Sequence, residues 1–171
     1  MKQLTEADRD ALAAFDRLQA VANYDLTDPA LIAELDVIAA RTAEKLGQPV
    51  ALTNLMLDSA AMVRGSYGVS QYGDAVNVPI EWSFCVRTVQ TGELKVIPDL
   101  TLDPEEHDNP FVVHQGVRSY AGAPLSTPDG QVIGTHCVFG MRPREFSEAE
   151  LATLTEAAGQ IVTTLERYRR N

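Results

Sequence analysis

The chain has 171 residues, 45% apolar and 22% charged, with a formal net charge of −10. That length and balance suit one globular domain with helical extensions. Acidic residues run along the whole chain, which argues against nucleic-acid binding. The one basic cluster, Arg167, Arg169 and Arg170, suits the negative end of a terminal helix instead. Near the N-terminus Lys2, Glu6, Asp8, Arg9, Asp10, Asp16 and Arg17 interrupt the apolar positions, unlike a secretory signal. No apolar run reaches the roughly 18 residues of a membrane span. Two distant cysteines, Cys85 and Cys137, make no disulfide framework, and the expected location is the cytoplasm.

In chain order, Thr5 and Asp8 are placed to cap a first helix, with Ala11, Phe15, Leu18 and Ala22 recurring along one side. Asp28-Pro29 predicts the start of a second helix, Leu31, Leu35, Ile38 and Leu46 its apolar face, and Gly47 its end. Residues 50–57 and 61–67 read as strands joined by an Asp58-Ser59 turn. Gly65, Ser66, Gly68, Ser70, Gln71 and Gly73 suggest a mobile loop up to residue 80. A short helix is expected over residues 82–90, stopped at Thr91-Gly92, then a strand over 94–97 ended by Pro98-Asp99. Residues 100–116 read as a loop with a short helix. Two strands around Asp129-Gly130 follow, and Ser147 with Glu150 forms a capping box for the last helix. That helix carries Leu151, Leu154, Ala158, Ile161, Leu165 and Tyr168 at seam spacing. Hairpins at both ends of the chain argue for an α+β fold with an antiparallel sheet.

The most informative stretch is Val117-Arg118-Ser119-Tyr120-Ala121-Gly122-Ala123-Pro124-Leu125, a turn, then Val132-Ile133-Gly134-Thr135-His136-Cys137-Val138-Phe139. It resembles the last hairpin of a GAF domain, where RFYAGAPL and LGTLCV flank a turn, with Ser119 in place of the usual Phe. Val96-Ile97-Pro98-Asp99, Asp103-Pro104 and Asn109-Pro110 resemble the VPD and DPRF..NP segments of many bacterial members. Ser83-Phe84-Cys85 matches a frequent SFC. Glu105 and Glu106 stand where Arg and Phe are common there, so any anion-binding role of that Arg is lost. The resemblance implies a GAF/PAS-like central antiparallel sheet of about five to six strands, flanked by helices, with the terminal helices packed together. It divides the chain into residues 1–26, a helix for packing or dimerisation, and 27–171, a GAF domain whose last helix begins at about 147.

The resemblance also implies a pocket between one sheet face and residues 80–116. Strand parity puts Thr135, Cys137 and Phe139 on one face, His136 and Val138 on the other, and Tyr120, Gly122 and Pro124 together. The expected floor is Tyr120, Thr135 and Cys137, and the expected walls are Phe84, Cys85, Asp99, Asp108 and Phe111. His114, four residues before Arg118, resembles in its spacing the iron-ligating His of haem-binding GAF domains, which makes it a candidate axial ligand for haem, although the sequence requires no cofactor. His107, His114 and His136 are too scattered to mark a metal site. No phytochrome-like bilin segment, cyclic-nucleotide signature or P-loop occurs.

These features lead to the expectation of a bacterial regulatory GAF protein. It would sense a small molecule or a redox signal, pair with a second copy and signal to a separate partner. Ligand binding would order residues 65–80 and 99–116 and repack the terminal helices. The alternatives are a ligand-free dimerisation module and a thiol-based enzyme resembling the free methionine sulfoxide reductases. The latter use several cysteines in segments unlike Cys85 and Cys137, so no catalytic residue is assigned.

Overall fold

The computed structural model describes residues 1–70 and 77–171. The chain runs α1 (Glu6–Leu12), α2 (Phe15–Ala22), α3 (Pro29–Leu46), β1 (Val50–Met56), β2 (Ala60–Tyr67) and β3 (Asn77–Pro79). It continues through α4 (Val86–Thr91), β4 (Lys95–Ile97), a 3-10 turn (Leu100–Leu102), α5 (Pro110–Gln115), β5 (Ser119–Ser126), β6 (Val132–Gly140) and α6 (Glu148–Arg167). The strands form a six-stranded antiparallel sheet in the order β3-β2-β1-β6-β5-β4. This is the expected α+β architecture. Of the Gly-rich loop, Gln71 and Gly73 lie outside the described residues.

Local signals set most boundaries. Thr5 with Asp8, and Ser147 with Glu150, make reciprocal capping boxes. Asp28 caps α3 by accepting from the Ala30 amide at 2.8 Å, Pro29 opens it, and Gly47 closes it at φ 61°. Both sheet faces are covered. On one, α3 and α6 bury Leu31, Leu35, Ala39, Leu154, Ile161 and Leu165 against β1, β5 and β6. On the other, α4, α5 and α1 cover Met56, Tyr120 and Cys137. Helix α3 lies so close to β2 that a Cβ on Gly65 would meet that of Leu35 at 2.7 Å.

A bulge between Thr53 and Asn54 leaves Arg64 as the extra residue, pairing Thr53 with Gly65 and Asn54 with Val63. It lets Val63 face one core while Gly65 faces the other.

Three sequence expectations need correction. The first helix is two helices, with Ala14 extended between them at ψ 127°. Leu12 belongs to one core and Val21 to the other, so a straight helix could not bury both. The inferred stripe is not what packs: Ala11 is exposed and Phe15 is 74% exposed. Helix α4 starts at Val86 rather than Trp82, because residues 80–84 form turns. The short edge strand β3 has no alternating pattern to announce it.

The segment after α2 meets the end of α6, whereas α1 and the first residues lie on the other sheet face. The Asp25 amide donates to Tyr168 O at 2.9 Å, and the Arg170 amide to Asn23 O at 2.6 Å. The stripe of α6 is used against α3 and the sheet, within its own core. Among the described residues no helix is long and apolar enough to cross a membrane.

Candidate functional site

A cavity of about 320 Å³ opens between the sheet and the segments carrying α4 and α5. Its floor is Leu52 and Asn54 of β1, Ala61 and Val63 of β2, Tyr120 of β5, and Cys137 and Phe139 of β6. Strand alternation places them there: His136 and Val138 point to the opposite face. One wall is an aromatic series. Trp82 meets Phe111 edge-on with centroids 6.0 Å apart, Phe111 meets Phe84 at 6.1 Å, and Phe84 meets Tyr120 at 5.6 Å. The cavity is largely apolar and falls at the lower end of the ligand-pocket range of roughly 300–1,000 Å³.

Its polar end is built around two thiols. Cys85, just ahead of α4, and Cys137, mid-strand in β6, have Sγ atoms 3.8 Å apart. The Tyr120 hydroxyl donates to Cys85 Sγ at 3.3 Å. The Asn54 amide reaches Cys85 Sγ at 3.5 Å and Cys137 Sγ at 3.7 Å. The two thiols are inequivalent. A hydrogen bond shared with Cys137, helped by the Thr135 and Tyr120 hydroxyls, holds Cys85 below the ordinary thiol range despite burial. That same bond and burial raise Cys137, and burial raises the Tyr120 phenol. A Cβ at Gly122 would fall 2.1 Å from the Tyr120 hydroxyl oxygen, so the phenol reaches Cys85 across a residue that must lack a side chain.

Buried polar contacts fix the walls. Lys2 pairs with the carboxylate of Glu106, both side chains fully enclosed, and donates to Ser83 O at 2.8 Å. The Asn109 amide donates to Glu106 and to Trp82 O, each at 2.9 Å. Arg87 on α4 pairs with Asp8 at 2.8 Å and Glu105 at 2.6 Å. These bonds join the N-terminal segment to the turns that carry Trp82 and Phe84 and to the start of α5, which carries Phe111. The two glutamates at the family's Arg and Phe positions therefore serve as structural ties.

Of the expected site residues, Phe84, Cys85, Phe111, Tyr120 and Cys137 come together at the cavity. Asp99, Asp108 and Thr135 do not line it. Asp99 accepts from the amide and hydroxyl of Thr101, capping the 3-10 turn, and so is already satisfied. Asp108 is half exposed and pairs with the amino terminus. Thr135 lies fully buried in β6 rather than at the cavity lining, and its hydroxyl helps to hold the Cys85 thiol low. His114 is exposed on α5 and away from the cavity lining. No cluster of metal-ligating side chains occurs among the described residues. Sequence reasoning missed Asn54, Trp82 and Gly122 as parts of this site. An asparagine in the mostly apolar β1, beside Thr53, was the available signal, since a polar residue there needs partners.

A family model described as the GAF domain matches residues 2–165. A cyclic di-GMP phosphodiesterase of Pseudomonas aeruginosa is 31% identical over 136 residues, covering 78% of this chain and 22% of that protein. The chain thus spans under a quarter of this curated relative's length. The type II free methionine-R-sulfoxide reductase of Thermoplasma acidophilum superposes with a TM-score of 0.69 at 14% identity, over 85% of this chain and 98% of that one. The GAF domain of an Acinetobacter phosphoenolpyruvate-protein phosphotransferase superposes at 0.66 and 17% identity, over 96% of each. At these identities the structural likeness concerns the fold alone. With a family match over nearly its whole length and the sheet and helices to accompany it, the chain belongs to the GAF domain family.

Proposed function

We propose that the chain is a regulatory GAF domain that binds a small, mostly apolar molecule in the cavity above Tyr120 and Cys137. The observation that carries this reading is the cavity itself: apolar walls around a polar end made by Asn54, Tyr120 and the two thiols. Such a site would orient a compact ligand through a few hydrogen bonds while its body meets aromatic rings. Membership of a mostly regulatory family supports the reading. The signal would pass to a separate partner. The stripe of α6 is occupied within its own core, so a homodimer, which this reading includes, would use other surfaces.

Native mass spectrometry of the purified protein tests it. The expected result is a non-covalent adduct on the wild type that is absent from Ala61→Phe, whose ring fills the cavity floor. An adduct retained by Ala61→Phe, or none on the wild type, refutes the ligand site and favours a ligand-free interaction module.

The Cys85–Cys137 pair and the fold shared with methionine sulfoxide reductases favour a second reading, a thiol-based reductase. It requires turnover of free methionine sulfoxide that disappears in Cys85→Ser.

A further inference from the structure

We propose that Cys85 and Cys137 are a redox modification site. A small hydroperoxide entering the cavity oxidises Cys85, and Cys137 resolves the product as an intramolecular disulfide that links the start of α4 to β6. The inference rests on the cavity admitting a small molecule, as the ligand reading does. It is read out on the thiols themselves and not on binding.

The geometry assigns the order of the two steps. Cys85 accepts from the Tyr120 hydroxyl at 3.3 Å and from the Asn54 amide, with Cys137 Sγ at 3.8 Å as a third neighbour. Cys137 has Asn54 and Cys85 alone as side-chain partners. A negative charge that develops on one sulfur is therefore better satisfied at Cys85. Thiolate character governs attack on a peroxide. The low-lying Cys85 thiol and the raised Cys137 thiol agree with that asymmetry.

Access is selective. Each cysteine is at most 3% exposed, yet both line the cavity, so a reagent must be small enough to enter it. The chemistry balances. Cys85 thiolate attacks the terminal oxygen of the hydroperoxide, the O–O bond breaks, and Cys85 becomes a sulfenic acid. The departing alkoxide or hydroxide takes a proton and leaves as alcohol or water. Cys137 sulfur then attacks Cys85 sulfur, the S–O bond breaks, and hydroxide leaves with the Cys137 proton as water. The hydroperoxide gains the two electrons that the two thiols lose.

Closing the sulfurs from 3.8 Å to a bond of about 2.05 Å asks for movement on one side. Strand β6 is held by β1 and β5, so the adjustment falls on the short turn before α4. The disulfide would remove the acceptor of Tyr120 and Asn54 and draw Phe84 with the turn. Oxidation would thereby change the polar end of the cavity and one of its walls.

The test treats the reduced full chain with hydrogen peroxide, then follows intact mass and counts free thiols after denaturation. The expected result is loss of both thiols together, a mass loss of two hydrogens, migration as a single chain without reductant, and full reversal by dithiothreitol. Cys137→Ser should stop at a Cys85 sulfenic acid captured by dimedone, whereas Cys85→Ser should keep its Cys137 thiol. Alanine versions replace any serine variant whose circular dichroism departs from wild type. The proposal is overturned if wild type retains both thiols, gains oxygen without forming a disulfide, or links two chains. It is equally overturned if the protein without Cys85 reacts as fast as wild type.

Discussion

His136 gives this protein a pH-dependent stability whose size follows from its surroundings. The imidazole is fully buried beneath α3: Nε2 lies 2.8 Å from Thr42 Oγ1, and Nδ1 lies 3.1 Å from both Thr53 Oγ1 and Leu52 O. Burial pushes its pKa from 6.5 down to about 4, with the Leu52 carbonyl opposing. The unfolded chain therefore binds a proton in a pH window where the folded one does not. Stability is complete above the unfolded value and is lost as the pH falls toward the folded value. Integrating between those two pKa values gives a loss of about 2 kcal/mol from about pH 7.5 to about pH 5. Urea unfolding followed by Trp82 fluorescence at the two pH values measures it, with a common m-value. His136→Gln keeps a hydrogen-bonding side chain but cannot titrate, so its stability should vary less by that amount. Comparing the two proteins subtracts what Cys85 and the carboxylates contribute. Equal pH dependence in both proteins would refute the buried neutral imidazole as its source.

Two further expectations concern how the site is held. Gly122→Ala should force Tyr120 aside at a cost of about 1–3 kcal/mol in urea unfolding, and should slow alkylation of Cys85 near neutral pH. Unchanged stability and reactivity would mean that Tyr120 does not depend on Gly122. Lys2→Met should cost about 3–5 kcal/mol by leaving Glu106 buried without its partner, and adding Glu106→Gln should recover most of the loss. A single variant as stable as wild type would show that the pair does not close the cavity wall.

Features whose free energy is local could be read from the order of residues. The capping boxes at Thr5 and Ser147, the Asp28-Pro29 start and Gly47 stop of α3, and the turn between β5 and β6 satisfy backbone groups within a few residues. They are legible without a fold. Strand parity likewise told correctly that Tyr120 and Cys137 face one way and His136 the other, because alternation belongs to any extended strand. The same local logic misled at Asp99. An aspartate ahead of a turn can orient a ligand or cap the turn, and the structure gives it the second task.

Tertiary structure alone decided everything that depends on which distant surfaces meet. The break between α1 and α2 follows from the need to supply both cores, not from any helix-stopping residue between them. Lys2 reads as a solvated charge until Glu106 is brought to it. Asn54, Cys85 and Cys137 become one site only through the register of β1 on β6 and the docking of α4, across a separation of 52 residues between the thiols. Side-chain propensities fix neither the register nor the docking. Both are set by burying two apolar sheet faces at once, and that constraint belongs to the whole chain.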